Sequence, residues 1–178
     1  LAPNITPFNV LELSNANNIA SYLSDLSYST VGAHSEPAAN YSRGRAYEDL
    51  GFEYTYFEEN FKELQPYRTK WFETDKSLYK NLIDFYENLP EEKARFLYLL
   101  TIQNHGGWDM NESVDDIIHV SEDFGQYTEQ INEFLSCMYL SDLALKDLIE
   151  YYSNVDRPVV LCMVGDHSPA LANEIVDN

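Results

Sequence analysis

Apolar residues recur along this chain with two different periods, and the alternation between those periods outlines an architecture. In residues 16–26, ANNIASYLSDL, Ile19, Tyr22, Leu23 and Leu26 fall at helical spacing. Tyr28 to Ala33 then reads as a short strand that ends at His34. From Tyr41 to Leu50 the pattern is weakly helical with Gly51 as its stop, and FEYTYFEENF after it reads as a short strand or an irregular connection. Thr74 or Asp75 caps a helix whose apolar face is Leu78, Leu82, Ile83, Phe85 and Tyr86, and Pro90 closes it. Arg95 to Gln103, RFLYLLTIQ, is too apolar for a sheet edge and predicts a second buried strand, followed by Asn104 and His105. Residues 106–125 are acidic and loop-like. A long helix over about 128–153 carries Ile131, Leu135, Met138, Leu145, Ile149 and Tyr152 on one stripe. It leads into RPVVLCMVGDHSP, where the apolar run Pro158 to Val164 predicts a third buried strand before Gly165, Asp166 and His167.

Helix alternating with apolar strand over the whole length predicts an α/β fold, a mostly parallel sheet with helices on both faces. A chain of 178 residues, 44% hydrophobic, supports one core, so residues 1–178 are expected to form a single domain or part of one. No internal repeat, low-complexity segment or linker interrupts it.

Charge narrows the partners. Asp and Glu number 30 against 11 Lys and Arg, a formal net charge of -19, which repels nucleic acid and anionic bilayers. An anionic substrate therefore needs a local positive centre, a metal or a well-placed arginine. No apolar stretch approaches the roughly 20 residues that cross a bilayer, and residues 1–15 lack the pattern of a signal peptide. Cys137 and Cys162 have no CxxC spacing and read as small apolar residues.

Three of the four histidines, His34, His105 and His167, stand just after a strand of this reading. Parallel strands deliver their ends to one edge of the sheet, the edge at which open α/β folds bind ligands. A lone strand-end histidine is ordinarily a hydrogen-bonded loop residue, whereas three, one beside an aspartate, point to a site. Asp166 offers a hard oxygen and His167 a borderline nitrogen, a mixture suited to Mn²⁺, Zn²⁺ or Fe rather than to an all-oxygen Ca²⁺ cage. The stretch Asp109 to Val120, DMNESVDDIIHV, opens like a calcium loop, but Val114 takes the place of its Gly and Val120 that of its bidentate Glu. His34-Ser35-Glu36 matches HxE with no PCxxC after it, which removes a zinc-deaminase reading.

The segments HSEPAANYSRGRAYEDLGFEYTYFEENF, FLYLLTIQNHGGW, YLSDLALKDLIEYY and RPVVLCMVGDHSP, taken in order over about residues 19–170, resemble the sulfatase-like extracellular domain of lipoteichoic acid synthases and related phosphoglycerol transferases. These belong to the alkaline phosphatase superfamily. The resemblance implies one divalent metal, usually Mn²⁺, with Asp166 and His167 as ligands. It further implies His105 near the phosphoryl group or leaving oxygen, in a catalytic role, and His34, Tyr41 and Arg43 bordering glycerol phosphate. Where the family commonly reads Trp-Asn-Arg, this chain reads Tyr41-Ser42-Arg43, a smaller aromatic wall. Asp142 of the YLSD segment reads as structural, hydrogen-bonded at a helix–sheet contact.

The family's threonine nucleophile and an acidic metal ligand lie upstream of what aligns with Leu1, and neither Thr6 nor Thr30 stands in such a setting. The expectation is therefore a partial domain, inactive by itself, of a membrane-anchored enzyme at the extracellular face of a bacterial membrane. Such an enzyme would move glycerol phosphate from a lipid donor to a polymer or glycan acceptor. A sulfatase or phosphodiesterase hydrolase of the same superfamily, and a non-catalytic binding module, are the alternatives.

Overall fold

The computed structural model describes residues 7–64, 73–108, 116–169 and 171. Two helices open the chain, α1 (Pro7–Val10) and α2 (Ile19–Asp25), and lead to strand β1 (Ser29–His34). Then come α3 (Arg43–Asp49), β2 (Tyr54–Tyr56), α4 (Asp75–Glu87), β3 (Arg95–Leu100) and the 26-residue α5 (Thr128–Ser153). The strands form a parallel sheet in the order β2-β1-β3. Register is continuous along β1 and β3, from Ser29 opposite Arg95 to His34 opposite Leu100. The α/β fold class expected from the alternation is the one observed.

The chain forms two compact units, the first of Leu1–Glu63 and Lys80–Thr101, the second of Leu64–Tyr79 and Ile102–Asn178. In the first, β1 is buried along its whole length. Its Gly32 meets an aromatic cluster in which the Tyr47 ring lies 5.4 Å from Phe52, 5.5 Å from Phe57 and 6.0 Å from Tyr98. Tyr56 stacks on Phe85 of α4 at 3.8 Å, which seats that helix by its predicted apolar face. In the second unit Trp108, Ile131, Cys137 and Leu171 form the core, with Phe124, Tyr127 and Phe134 packed against it.

Several expectations are corrected. Asn18 caps α2 by accepting the Ser21 N–H, but the stripe Ile19, Tyr22 and Leu26 faces solvent and Ala20 is the buried residue. The α5 stripe holds only in part: Ile131 is buried and Leu135 packs against the core, but Met138 and Ile149 are exposed, while Ser136, Cys137, Ser141, Ala144 and Leu148 are buried. The reason is polar. Ser136 Oγ accepts the N–H groups of Ile117 and Ile118, and Asn132 Oδ1 accepts that of Val120, so this face of α5 satisfies backbone that would otherwise be orphaned.

β3 is half-buried and, among the described residues, pairs on one side only, so it is an edge strand despite its composition. The run Pro158 to Val164 forms no strand; Val160 is 94% and Val164 83% exposed. Apolar composition makes a strand only where a neighbouring strand supplies the ladder and a packed face supplies burial, and this run has neither among the described residues. Thr6 and residues 109–115 of the calcium-loop-like stretch lie outside the described residues.

Candidate active site

In the first unit β1 ends in a buried cluster of chemistry-bearing side chains. His34 is 0% exposed, and its Nδ1 lies 2.9 Å from the carbonyl of Leu100, its register partner on β3. That carbonyl can only accept, so Nδ1 carries a proton and the tautomer is fixed. Nε2 then faces Glu36 Oε2 at 3.2 Å. Glu36 Oε2 also accepts from Arg43 Nη1 at 3.0 Å, so one carboxylate oxygen joins the histidine to the arginine.

Burial lowers the imidazole below its ordinary 6.5, and Arg43 pushes the same way against the raising effects of Leu100 and Glu36. Burial opposes the charge of Glu36 as well, but the hydrogen bonds from His34 and Arg43 outweigh it and hold this carboxyl below the usual carboxylate range. With Nδ1 protonated, the Nε2 contact is a hydrogen bond only when a further proton lies between Nε2 and Oε2. Both shifts work against that proton, so the ring resists protonation and Glu36 keeps its charge for Arg43.

The turn that delivers Arg43 is strained. Tyr41 (φ 55°) and Ser42 (φ 56°) are consecutive non-glycine residues in the left-handed region, at a cost of about 1–3 kcal/mol each. Ser42 Oγ donates to Asn9 Oδ1 and Arg45 donates to the Phe8 carbonyl, which ties the turn to α1. Its outcome is an Arg43 guanidinium 4.9 Å from the centre of the Tyr41 ring, with Tyr41 itself 59% exposed. His34, Tyr41 and Arg43, which the resemblance groups together, meet in one place. Glu36 was missed there, although residues i and i+2 of an extended segment share a face and could have flagged it.

His105 and His167 belong to the second unit. His105 is exposed and follows the turn after β3, its N–H donating to the Ile102 carbonyl at 2.9 Å. Asp166 and His167 are both exposed, with His167 Nε2 3.7 Å from Asp166 Oδ2. His167 Nδ1 lies 2.9 Å from the Ser168 carbonyl, so it carries the proton and Nε2 keeps its lone pair. This tautomer leaves Nε2 as the nitrogen that can ligate a metal. Two donors each about 2.1 Å from a tetrahedral ion stand roughly 3.4 Å apart, so the pair fits one ion. Among the described residues no group of three or more His, Cys, Asp or Glu is arranged to hold a metal, and these two alone do not complete a coordination sphere.

Asp142, expected to be structural, is exposed, and the buried polar role belongs to its neighbour Ser141. One residue along a helix turns the side chain by about 100°, so the YLSD segment places only one of the two inward.

Residues 3–177 match the sulfatase family. The chain belongs to that family. Among curated proteins it is 31% identical over 129 residues to the capsular polysaccharide biosynthesis protein RkpI of Rhizobium meliloti strain 1021, covering 72% of this chain and 22% of that protein. Among solved structures it superposes with a TM-score of 0.60 and 19% identity on the Streptococcus pyogenes phosphoglycerol transferase GacH in complex with sn-glycerol-1-phosphate, over 73% of this chain and 34% of that one. The lipoteichoic acid synthase LtaP from Listeria monocytogenes gives 0.62 and 18%, over 85% of this chain and 36% of that one. At these identities the structural likeness establishes the fold. The sulfatase-family chain spans about a fifth to a third of the length of these relatives. No helix among the described residues is long and apolar enough to cross a membrane.

Proposed function

We propose that this chain forms part of the catalytic domain of a metal-dependent phosphoglycerol transferase, which moves glycerol phosphate from a lipid donor to a polymer or glycan acceptor at the outer face of a bacterial membrane. The observation that carries the reading is the Arg43 guanidinium held against Glu36 and the buried His34 at the end of β1. In a chain of net charge -19, an arginine fixed by a strained turn and a buried partner is the local positive centre an anionic ester needs. The sn-glycerol-1-phosphate bound to one structural relative is an anionic ester of matching chemistry.

In this reading Arg43 binds the phosphate oxygens and Tyr41 walls the glycerol moiety. His34, buried beneath them, sets the orientation and charge of Glu36 and thereby of Arg43. His105 stands at the phosphoryl group, where an exposed imidazole donates a proton to the leaving oxygen. Asp166 and His167 hold the metal. A divalent ion such as Mn²⁺, once bound, supplies Lewis-acid polarisation of the phosphoryl oxygen and activation of the attacking nucleophile.

The test is glycerol phosphate binding by the full-length protein. Arg43→Ala should weaken it by about 1.5–3 kcal/mol, the range for a hydrogen bond to a charged group, and Arg43→Lys should restore only part of the loss because the planar fork is gone. Equal affinity in wild type and Arg43→Ala removes Arg43 from the site. The match to the sulfatase family favours a second reading, hydrolysis of a phosphate or sulfate ester. Product analysis separates the two, since transfer leaves glycerol phosphate on an acceptor and hydrolysis releases it to water. Binding without turnover would identify a non-catalytic module.

A further inference from the structure

We infer that Ser141 and Asp75 are positioning residues for His105, because together they clamp the two side chains that immediately precede it. The inference rests on the reading of His105 as a group at the phosphoryl centre. Every atom involved lies in the second unit. Ser141 Oγ donates to Asp75 Oδ2 at 2.6 Å, which uses its only hydrogen. Its oxygen is then left to accept, and it does so from Gln103 Nε2 at 3.0 Å and Asn104 Nδ2 at 3.0 Å. One hydroxyl thus makes one donated and two accepted bonds, its full capacity.

The clamp is closed by Gln103 itself. Its Nε2 also donates to the Cys137 carbonyl at 2.8 Å, and its Oε1 accepts the Asp75 N–H at 2.9 Å. The turn from Ile102 to His105 is therefore held at three places: on α5 through Ser141 and Cys137, on the first residue of α4 through Asp75, and by its own His105 N–H to Ile102 bond. Asp75, Gln103 and Ser141 are each at least 98% buried, so water cannot substitute for a lost partner.

A carboxylate in the core is a costly way to secure a turn. The direction of the Ser141 hydroxyl explains it: Asp75 Oδ2 is the nearest acceptor at 2.6 Å, and with the hydrogen donated there the oxygen accepts from Gln103 and Asn104. A misplacement of about 1 Å at a reacting group costs up to a hundredfold in rate, and this network fixes the backbone from which His105 projects.

The experiment uses the full-length protein with two independent readouts, steady-state kinetics and the imidazole resonances of His105 assigned with His105→Ala. Ser141→Ala, folded as wild type by circular dichroism, should lower kcat about tenfold with KM nearly unchanged and should shift or broaden the His105 ring signals. Asp75→Ala should do the same, while Asp75→Asn, whose carbonyl oxygen still accepts from Ser141, should restore most of kcat. In a His105→Ala background, Ser141→Ala should have no further effect on rate. Unchanged His105 resonances in Ser141→Ala, or an equal loss of rate with and without His105, would overturn the inference. A His105→Ala enzyme with full activity would instead defeat the assignment of His105, and the ring resonances would still decide whether Ser141 positions it.

Discussion

Gly32→Ala is the substitution whose cost can be worked most directly from the structure. A Cβ at this position would lie 2.7 Å from Tyr47 Cδ2 and 3.0 Å from Cδ2 and Cγ of Phe52. Carbon atoms in good contact are about 3.5–4.0 Å apart, so one of the rings must move by close to an ångström. Tyr47 is 4% exposed and hemmed in by Phe52, Phe57 and Tyr98, which leaves it little room to retreat. Overpacking of this kind costs about 1–3 kcal/mol, and replacing glycine in the unfolded chain returns about 0.4–1 kcal/mol. The net expectation is a loss of about 1–2 kcal/mol. Urea unfolding should show a lower midpoint at an unchanged slope, and slower-exchanging amides of β1 should lose protection. In a Tyr47→Leu background the extra methyl should cost less, because the nearest ring atom is gone. A Gly32→Ala protein as stable as wild type would refute the account of how β1 is packed beneath His34.

Two further outcomes test the site groups. Metal analysis of the full-length protein should find Mn²⁺ or a similar ion, lost in the Asp166→Ala, His167→Ala double variant; unchanged stoichiometry would remove the pair as ligands. The burial-lowered proton affinity of His34 makes stability depend on pH with a definite sign. Near pH 6.5 the unfolded ring takes up a proton that the folded ring resists, so stability falls as pH drops below about 6.5, by at most about 1.4 kcal/mol per pH unit, until the folded ring is protonated too. His34→Gln should flatten that fall in urea midpoints measured from pH 8 to 5, and superimposable pH profiles would contradict the burial argument.

Elements are legible in the sequence where period, cap and stop agree. β1 and α4 lie within a residue or so of their expected bounds because a Val-containing run ends at a polar pair in one case and Thr74, Leu78, Leu82 and Pro90 mark a capped amphipathic helix in the other. The face of α5 departs from expectation for a polar reason. An apolar stripe suggests the buried face, but a helix turns inward whatever the surrounding backbone requires, and for α5 that is Asn132, Ser136 and Ser141. Pro158 to Val164 shows the complementary limit, since its composition is that of a core strand and its conformation depends on a neighbour that a sequence pattern does not specify.

The same distinction governs the site. His34, His105, His167 and Arg43 can be named from sequence because their residue types are scarce in this chain, and Tyr41 and Asp166 because they stand beside them in family-like segments. Glu36, Asp75 and Ser141 cannot, because acids and serines are abundant in a chain with 30 Asp and Glu, and only their partners distinguish them. Glu36 differs from the other carboxylates by taking hydrogen bonds from both His34 and Arg43. That partnership also decides what the arginine can do. An anion reaching Arg43 must share it with Glu36 or displace it, so affinity is set by the balance between two acids around one guanidinium rather than by the presence of the guanidinium. Burial works against the charge of Glu36, but the hydrogen bonds from His34 and Arg43 outweigh it, so the balance is struck between two charged acids, and an anion must match the 3.0 Å contact from Arg43 Nη1 to Glu36 Oε2 to take the arginine.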